Sequence, residues 1–115
     1  MEKAQNEEIL YKLRDIRDIL GVTRRAVQGY EAMGLIVPTQ KNARGHLLYS
    51  QEMFERIRKI QEYQWLGFTL REIQNFLDEP AAVQREYLKV RQLSLIRMQK
   101  ETQQKLEHIQ KYLTI

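Results

Sequence analysis

The chain of 115 residues contains no cysteine, two prolines and five glycines. The absence of cysteine excludes disulfides and thiolate metal sites. No run of about 18 apolar residues occurs, and the N-terminus lacks the apolar core of a secretory signal. Scarce glycine and proline, with 43% hydrophobic and 30% charged residues, indicate a folded, helix-rich chain. We therefore expect a cytoplasmic protein without a membrane partner.

Catalytic and metal-binding patterns are equally scarce. The two histidines, His46 and His108, lie far apart in the sequence, and no HExxH-like pair is present. The acidic residues are scattered in the manner of solvated helix faces. The sequence therefore predicts no enzyme activity, no metal site and no cofactor.

The net charge of +4 is concentrated in two blocks. Residues 24–59 contain seven basic and three acidic residues, and residues 80–115 contain the same numbers. Residues 60–79 between them are acidic. A local basic excess is typical of proteins with an anionic partner such as nucleic acid, although a solvated surface explains it equally well.

The first part of the chain predicts two short helices. Residues 13–20 have apolar residues at helical spacing, and Gly21 suits a C-terminal cap. Thr23 offers an N-cap oxygen to a second helix over about residues 24–33, which Gly34 can end. Two short helices joined by a tight turn predict a helix-turn-helix.

A small β-hairpin is predicted next. The apolar runs LIVPT and HLLY flank a polar tip that contains Asn42 and Gly45. Pro38 restricts this hairpin to an edge position.

Three more helices are predicted beyond the hairpin. Ser50 can cap a third helix to about Leu66, and Thr69 with Glu72 forms a capping box for a fourth. Residues 81–113, free of glycine and proline, predict one helix of about 50 Å. Its apolar residues follow heptad spacing around a polar centre, which predicts a coiled coil with a second copy. Packing against its own domain is the alternative. The predicted dimerisation residues are Leu88, Leu95, Leu106, Ile109 and Leu113.

The face of the second helix opposite its apolar stripe is a candidate DNA-binding surface. It carries Arg24, Arg25, Gln28, Gly29 and Ala32. Arginine binds phosphates or guanine edges, and glutamine can contact adenine. The alternative is that both arginines are ordinary solvated charges.

Gly29 is unexpected in the middle of this helix, because glycine there costs about 1 kcal/mol relative to alanine. We interpret it as a device that lets the helix approach DNA closely. The competing interpretation is close packing against another helix.

Three motifs, GVTRRAVQGYEAMGLI, RGHLLYS and QWLGFTLREI, resemble in order and spacing the DNA-binding half of the MerR family of transcription regulators. The resemblance covers about residues 11–78. It implies a mainly α fold, in which a winged helix-turn-helix DNA-binding domain with a small β-hairpin wing precedes a long C-terminal dimerisation helix in an antiparallel coiled coil. The implied organisation is an N-terminal extension (1–10), the DNA-binding domain (11–79) and the dimerisation helix (80–115).

The resemblance also implies a function and its partners. It implies a homodimer that binds a pseudo-palindromic promoter site in double-stranded DNA and regulates transcription by distorting that DNA for RNA polymerase. A cytoplasmic, nucleoid-associated location follows, and the protein could respond to an unidentified small molecule, to a partner protein or simply to its own concentration. Trp65, Tyr63 and Phe68 are candidates for an effector pocket, although aromatic residues before a helix joint are more often core.

The motifs also imply roles for individual residues. Arg25, Tyr30 and Tyr49 match positions that contact the DNA backbone, although Tyr30 lies on the apolar side, and Gly45 shapes the wing turn. Wing residues could contact phosphate or the minor groove, or form an ordinary polar tip. The full predicted DNA-binding set is Thr23, Arg24, Arg25, Gln28, Gly29, Tyr30, Lys41, Asn42, Arg44, His46 and Tyr49.

The chain departs from the family pattern at three places. Gln28 and Gly29 replace an Arg-Tyr pair, and His46 and Leu47 replace a Tyr-Arg pair in the wing. Gln61 stands where a basic residue is common. These departures predict altered phosphate contacts and an altered DNA site.

Two rival functions fit parts of the pattern. One is an architectural DNA-binding protein of the chromosome-organising or phage type. The other is a protein-interaction module built on the glutamine-rich coiled coil.

Overall fold

The computed structural model describes residues 9–114, which are mainly helical with one small antiparallel sheet, as predicted. The chain divides into two compact units, the first ending at Gln74 and the second beginning at Asn75. The elements in chain order are β1 (Leu10–Lys12), α1 (Leu13–Leu20), α2 (Arg24–Ala32), β2 (Gln40–Lys41), β3 (Leu47–Ser50), α3 (Gln51–Trp65), α4 (Leu70–Phe76) and α5 (Ala81–Leu113).

The predicted helix-turn-helix is present as α1 and α2. The backbone N–H of Gly21 donates to the carbonyl of Arg17 at 2.9 Å and closes α1. The hydroxyl of Thr23 accepts the N–H of Ala26 at 3.0 Å and opens α2. Because only three residues separate the helices, the two caps fix the turn between them.

Gly34 ends α2 in the left-handed conformation, with φ +73°. Its N–H donates to the carbonyl of Glu31, and the N–H of Leu35 donates to that of Tyr30, each at 2.9 Å. This is a Schellman cap, which residues with a Cβ adopt only with strain. The cap turns the chain away from α2 toward the hairpin.

The sheet differs from the prediction in two respects. Its strand order is β1-β3-β2, so the hairpin gains a third strand from Leu10–Lys12, and Leu10 belongs to the sheet rather than to an extension. Residues 1–8 of the predicted extension lie outside the described residues. The run LIVPT forms no strand, because Leu35 and Ile36 are buried as a loop and pairing starts only beyond Pro38.

The caps predicted for α3 and α4 are confirmed. The hydroxyl of Ser50 accepts the N–H of Met53 at 3.2 Å. The N–H of Thr69 donates to the carboxylate of Glu72 at 2.8 Å, and the hydroxyl of Thr69 accepts the N–H of Glu72 at 3.1 Å. This reciprocal pair is a capping box.

The core of the first unit gathers buried apolar side chains from four helices and β3. Its fully buried members include Ile16, Val27, Tyr49, Ile57 and Ile73. Two glutamines tether neighbouring segments. The Gln61 carboxamide donates to the Leu20 carbonyl at 2.9 Å, and that of Gln74 donates to the Met33 carbonyl at 2.6 Å.

Helix α5 spans 33 residues without a buried one. Near its start, the Gln84 carboxamide donates to the carbonyls of Phe76, Leu77 and Glu79, and the rings of Phe76 and Tyr87 lie 4.8 Å apart. Across residues 9–114, no helix is both long and apolar enough to cross a membrane.

Candidate nucleic-acid interface

Helix α2 separates a buried stripe from an exposed polar face. Val27 and Tyr30 are buried, whereas Arg24, Arg25 and Gln28 are exposed. Ala32 is exposed on the same face, as predicted. The face is therefore available to a ligand over its whole length.

Both arginines of this face are unengaged within the described chain. Among residues 9–114, neither guanidinium takes part in a hydrogen bond or an ion pair. A guanidinium carries five N–H donors in a planar fork. Arg24 and Arg25 can therefore offer all their donors to an anion without breaking a protein contact.

Gly29 lies on the border of this face and is half-buried. A Cβ at this position would meet no heavy atom within 4 Å, apart from those of the helix backbone. The interpretation that Gly29 serves close packing against another helix is therefore wrong for residues 9–114. The glycine leaves a shallow notch beside Arg25 and Ala32.

The wing, meaning β2, β3 and the turn of residues 42–46, is a hairpin with a three-residue loop. The N–H of Asn42 donates to the carbonyl of His46, and the N–H of Gly45 donates to the carbonyl of Asn42, each at 2.9 Å. Gly45 has φ +83°, which such loops require at their last position. Its predicted role in shaping the turn agrees with this geometry.

Asn42 has a structural task that the sequence analysis did not foresee. Its side-chain oxygen accepts the backbone N–H groups of Arg44 at 3.0 Å and His46 at 2.9 Å. Both bonds hold the turn in place. A contact from Asn42 to DNA, which stays a prediction, would have to use the other end of its carboxamide.

The cationic side chains of the wing and its histidine are on the surface. Lys41, Arg44 and His46 are all exposed. The hydrogen bonds to the Asn42 side chain hold the backbone at Arg44 and His46. The wing therefore presents a basic tip on a rigid turn.

Tyr30 and Tyr49 occupy the core, with exposures of 2% and 1%. The hydroxyl of Tyr30 donates to the side-chain oxygen of Gln64 at 2.6 Å, and that of Tyr49 donates to the carboxylate of Glu31 at 2.6 Å. Their backbone contacts to DNA remain a prediction, but in this structure each hydroxyl is directed to a protein acceptor. Sequence reasoning missed Gln64 and Glu31, since nothing in their spacing marks them as partners.

The environment of both phenols keeps them protonated. Burial raises the pKa of Tyr30, and burial followed by the hydrogen bond and charge of Glu31 raises the pKa of Tyr49. The pKa of an unfolded tyrosine is about 10. Both pKa values are higher in the folded protein than in the unfolded chain. The protonated phenols therefore contribute their full share of folding stability below about pH 10, and this share is lost as the pH rises further.

The free energy of unfolding should therefore fall as the pH is raised from about 9 to 11. In a Tyr30→Phe/Tyr49→Phe variant this fall should be shallower, although the variant is less stable at neutral pH. Urea denaturation across this pH range measures both slopes. Tyr112→Phe, at an exposed position of α5, is the control and should keep the wild-type slope. Equal slopes in all three proteins would contradict the raised pKa values of Tyr30 and Tyr49.

Gln61, at a departure from the family pattern, has a tethering role. Its carboxamide bonds to the last turn of α1 at Leu20, as described above. The guanidinium of Arg56, five residues earlier on α3, donates to the carbonyl of Leu35 at 2.5 Å. Helix α3 therefore holds both the end of α1 and the loop after α2.

The aromatic residues near the α3–α4 joint divide between core and surface. Tyr63 and Phe68 are buried and meet edge to face at 5.9 Å, whereas Trp65 is 83% exposed. The core interpretation is correct for Tyr63 and Phe68, whereas Trp65 lies on the surface. Among residues 9–114, no group of three or more histidine or acidic side chains is placed to hold a metal ion.

A helix-turn-helix with an exposed basic face on its second helix, joined to a β-hairpin with a basic tip, defines the winged helix-turn-helix class of DNA-binding domains. The family model described as "MerR HTH family regulatory protein" matches residues 11–80. The chain belongs to the MerR family. This family consists of transcriptional regulators rather than enzymes, in agreement with the sequence prediction.

Individual relatives agree with the family assignment. The chain is 37% identical over 79 residues to the HTH-type transcriptional activator TipA of Streptomyces coelicolor, an alignment that covers 69% of this chain and 31% of TipA. The chain thus spans less than two thirds of the full length of TipA and of similar curated relatives.

Solved structures share the fold. MtaN, the N-terminal part of the Bacillus subtilis multidrug transporter activator, superposes with a TM-score of 0.76 at 26% identity, over 90% of this chain and 97% of that one. HiNmlR, described as a MerR family regulator lacking the sensor domain and bound to promoter DNA, gives a TM-score of 0.67 at 13% identity, over 92% of this chain and 89% of that one. The second likeness concerns the fold alone.

Proposed function

We propose that this chain binds a pseudo-palindromic promoter site in double-stranded DNA as a homodimer and regulates transcription by distorting that site. The observation that carries the proposal is the pair of unengaged, exposed guanidinium groups on the second helix of a helix-turn-helix. The second helix of this motif is the one that enters the major groove. Arg24 and Arg25 would contact phosphates or guanine edges, and Gln28 would read a base.

The wing supplies a second contact in this proposal. Lys41, Arg44 and His46 would bind phosphates or the adjacent minor groove, with Asn42 holding the turn. Phosphate contacts fix orientation, whereas base contacts select sequence. The wing therefore positions the domain, and α2 selects the site. Residues 11–79 form the DNA-binding domain in this scheme.

Dimerisation is assigned to α5, within residues 80–115, of which Ile115 lies outside the described residues. The predicted seam residues are between 38% exposed, at Leu88, and 72% exposed, at Leu113. A row of exposed apolar side chains along a helix of 33 residues needs a partner surface. An antiparallel second copy of α5 provides one with the same heptad spacing.

Promoter distortion and engagement of RNA polymerase complete the proposal. TipA is a transcriptional activator, and the crystal structure of HiNmlR holds promoter DNA. We infer a related action here, in a cytoplasmic, nucleoid-associated protein with a small-molecule or protein effector still to be identified. Run-off transcription on promoters of varied spacer length separates this function from a purely architectural role, because only a regulator changes transcript yield with spacer length.

Binding to duplex DNA should weaken steeply with salt, with a log–log slope of about −0.9 for each phosphate neutralised. Operator fragments recovered by genome-wide mapping of bound sites provide the duplex, and fluorescence anisotropy at several salt concentrations provides the slope. A scrambled duplex of equal length is the control. Equal affinity for both duplexes, or a slope near zero, would contradict the proposal. Retained self-association without DNA binding would favour the protein-interaction module instead.

Replacing Gly29 with alanine should stabilise the fold and weaken DNA binding. The added methyl group meets open space, so helix propensity should raise the free energy of unfolding by roughly 0.5–1 kcal/mol. The same methyl group would hold α2 away from the groove. Urea denaturation and anisotropy measure the two effects, and Ala32→Gly is the reverse variant. Binding that is unchanged or tighter in Gly29→Ala would contradict the close-approach interpretation.

A further inference from the structure

Tyr49 and Glu31 join two elements that the proposed function uses separately. Tyr49 lies on β3 in the wing, and Glu31 lies in the last turn of α2. The phenol hydroxyl of Tyr49 donates to the Glu31 carboxylate at 2.6 Å, a distance typical of a charge-assisted hydrogen bond. The bond therefore connects the wing directly to the helix that carries Arg24 and Arg25.

The tyrosine end of this bond is rigidly held. β3 is the central strand of the sheet, and Tyr49 pairs with Tyr11 of β1 across it. The next residue, Ser50, caps α3 through its hydroxyl. The Tyr49 ring is 1% exposed, so the core packs around it and restrains the position of its hydroxyl.

The glutamate end lies beside the DNA-facing residues. Glu31 is the only acidic residue of α2 and follows Gln28 by three positions, so the two side chains are neighbours on the helix surface. An acidic residue in the last turn is unfavourable for the helix dipole. Helix stability therefore does not explain Glu31, whereas its bond to the wing does.

We propose that the Tyr49–Glu31 hydrogen bond is a positioning pair that sets the wing relative to α2, so that both can contact one DNA duplex together. The inference rests on the proposed function, and it assigns neither residue a contact with DNA. Tyr49 then affects DNA binding through its hydrogen bond to Glu31, and not through the direct phosphate contact that the motif implies. Without the bond, α2 and the wing each keep their basic groups but lose their fixed spacing.

The first test measures the wing position without DNA. Because the chain has no cysteine, Ala32→Cys on α2 and Ala43→Cys at the wing tip can carry a pair of spin labels, and dilution with unlabelled chain isolates the pair within one protomer. We expect a narrow distance distribution in the otherwise wild-type protein and a broad one with Tyr49→Phe or Glu31→Ala. Glu31→Gln keeps an acceptor oxygen and should stay narrow.

Tyr11→Phe is the matched control. This variant also removes a tyrosine hydroxyl from the sheet. The Tyr11 hydroxyl donates to the side-chain oxygen of Gln51 at 2.7 Å and therefore bonds to α3 rather than to α2. The distance distribution of this variant should remain narrow. If Glu31→Ala, which leaves the buried ring intact, has the wild-type distribution, the inference is overturned, whatever happens to Tyr49→Phe.

The second test uses DNA. Hydroxyl-radical footprints of Tyr49→Phe and Glu31→Ala should lose protection where the wing binds and keep it where α2 binds, with affinity lowered roughly tenfold, as for one charge-assisted hydrogen bond. The double variant should be no worse than either single one. Loss of binding in Tyr49→Phe with normal binding in Glu31→Ala would show direct contact by Tyr49 and overturn the inference. Absence of DNA binding in the wild type, with the label distances as expected, would instead contradict the proposed function.

Discussion

Replacing Arg25 with alanine should lower the affinity of the proposed dimer for its operator by roughly 30-fold or more, while folding and self-association stay unchanged. An arginine contact to a base or phosphate contributes about 1–3 kcal/mol, and a dimer loses it in both half-sites. The Arg25 side chain is exposed and makes no hydrogen bond or ion pair within residues 9–114. Its removal therefore leaves no protein group without a partner.

The salt dependence shows which kind of contact Arg25 makes. If it neutralises a phosphate in each half-site, the log–log slope should become shallower by about 2 in the variant dimer. If it contacts a guanine edge, the loss should instead be largest for the native operator and small for other sequences. Anisotropy titrations with both duplexes at several salt concentrations provide these quantities.

Arg71→Ala is the matched control for this experiment. Arg71 is exposed on α4, so the variant loses the same charge and the same side chain at a position outside the proposed interface. It should bind the operator nearly as the wild type does. Equal losses in the two variants would mean that only net charge matters, and this would contradict the assignment of α2 as the reading helix.

Local signals in the sequence were sufficient to predict the helices, because the residues that cap a helix act within one turn. Thr23, Ser50 and the Thr69–Glu72 pair each form the predicted cap. The bounds of α5 were equally predictable, since Pro80 can only begin a helix and no residue interrupts the next 33. Long-range partners were not needed for these predictions.

The sheet depended on partners distant in sequence and was predicted less well. β1 has three residues, too few to show an alternating pattern, and it exists because Leu10–Lys12 can pair with the far side of β3. The run LIVPT has the apolar composition of a strand, but Leu35 and Ile36 are buried individually beneath a loop. In both cases tertiary contacts decided the outcome.

The candidate interface was predictable in its exposed part only. A helical wheel is sufficient to place Arg25 opposite Val27 and Gln28 opposite Tyr30, because surface position follows from helix geometry. The partners of Tyr30 and Tyr49 come from elsewhere in the chain, 34 and 18 residues away. Motif matching assigned those tyrosines to DNA, and only the structure shows their hydroxyls directed to Gln64 and Glu31.

The second large effect is expected from Leu106→Lys on α5, which should convert the proposed dimer into a monomer at micromolar concentration. Leu106 belongs to the predicted seam and is 57% exposed in the single chain. An antiparallel copy would bury it, and a lysine there would bring a charge into the apolar seam. Lysine has nearly the helix propensity of leucine, so the change acts on the interface rather than on the helix itself.

Leu93→Lys provides the control on the same helix. Leu93 is 62% exposed and lies on the opposite side of α5 from Leu106, so the variant has the same composition and charge but an intact seam. Sedimentation equilibrium should give a dimer for the wild type and Leu93→Lys, and a monomer for Leu106→Lys. A Leu106→Lys protein that remains dimeric would contradict the assigned seam.

DNA binding should follow the oligomeric state in the same pair of variants. Linked half-sites raise the effective concentration of the second domain to about millimolar, so loss of the link should weaken operator binding by roughly 100-fold or more. The added lysine works in the other direction, because a positive charge favours DNA. A large loss in Leu106→Lys with retained binding in Leu93→Lys can therefore come only from separation of the two DNA-binding domains. Equal affinities in the two variants would mean that a single domain is sufficient for recognition, and the pseudo-palindromic site would have to be abandoned.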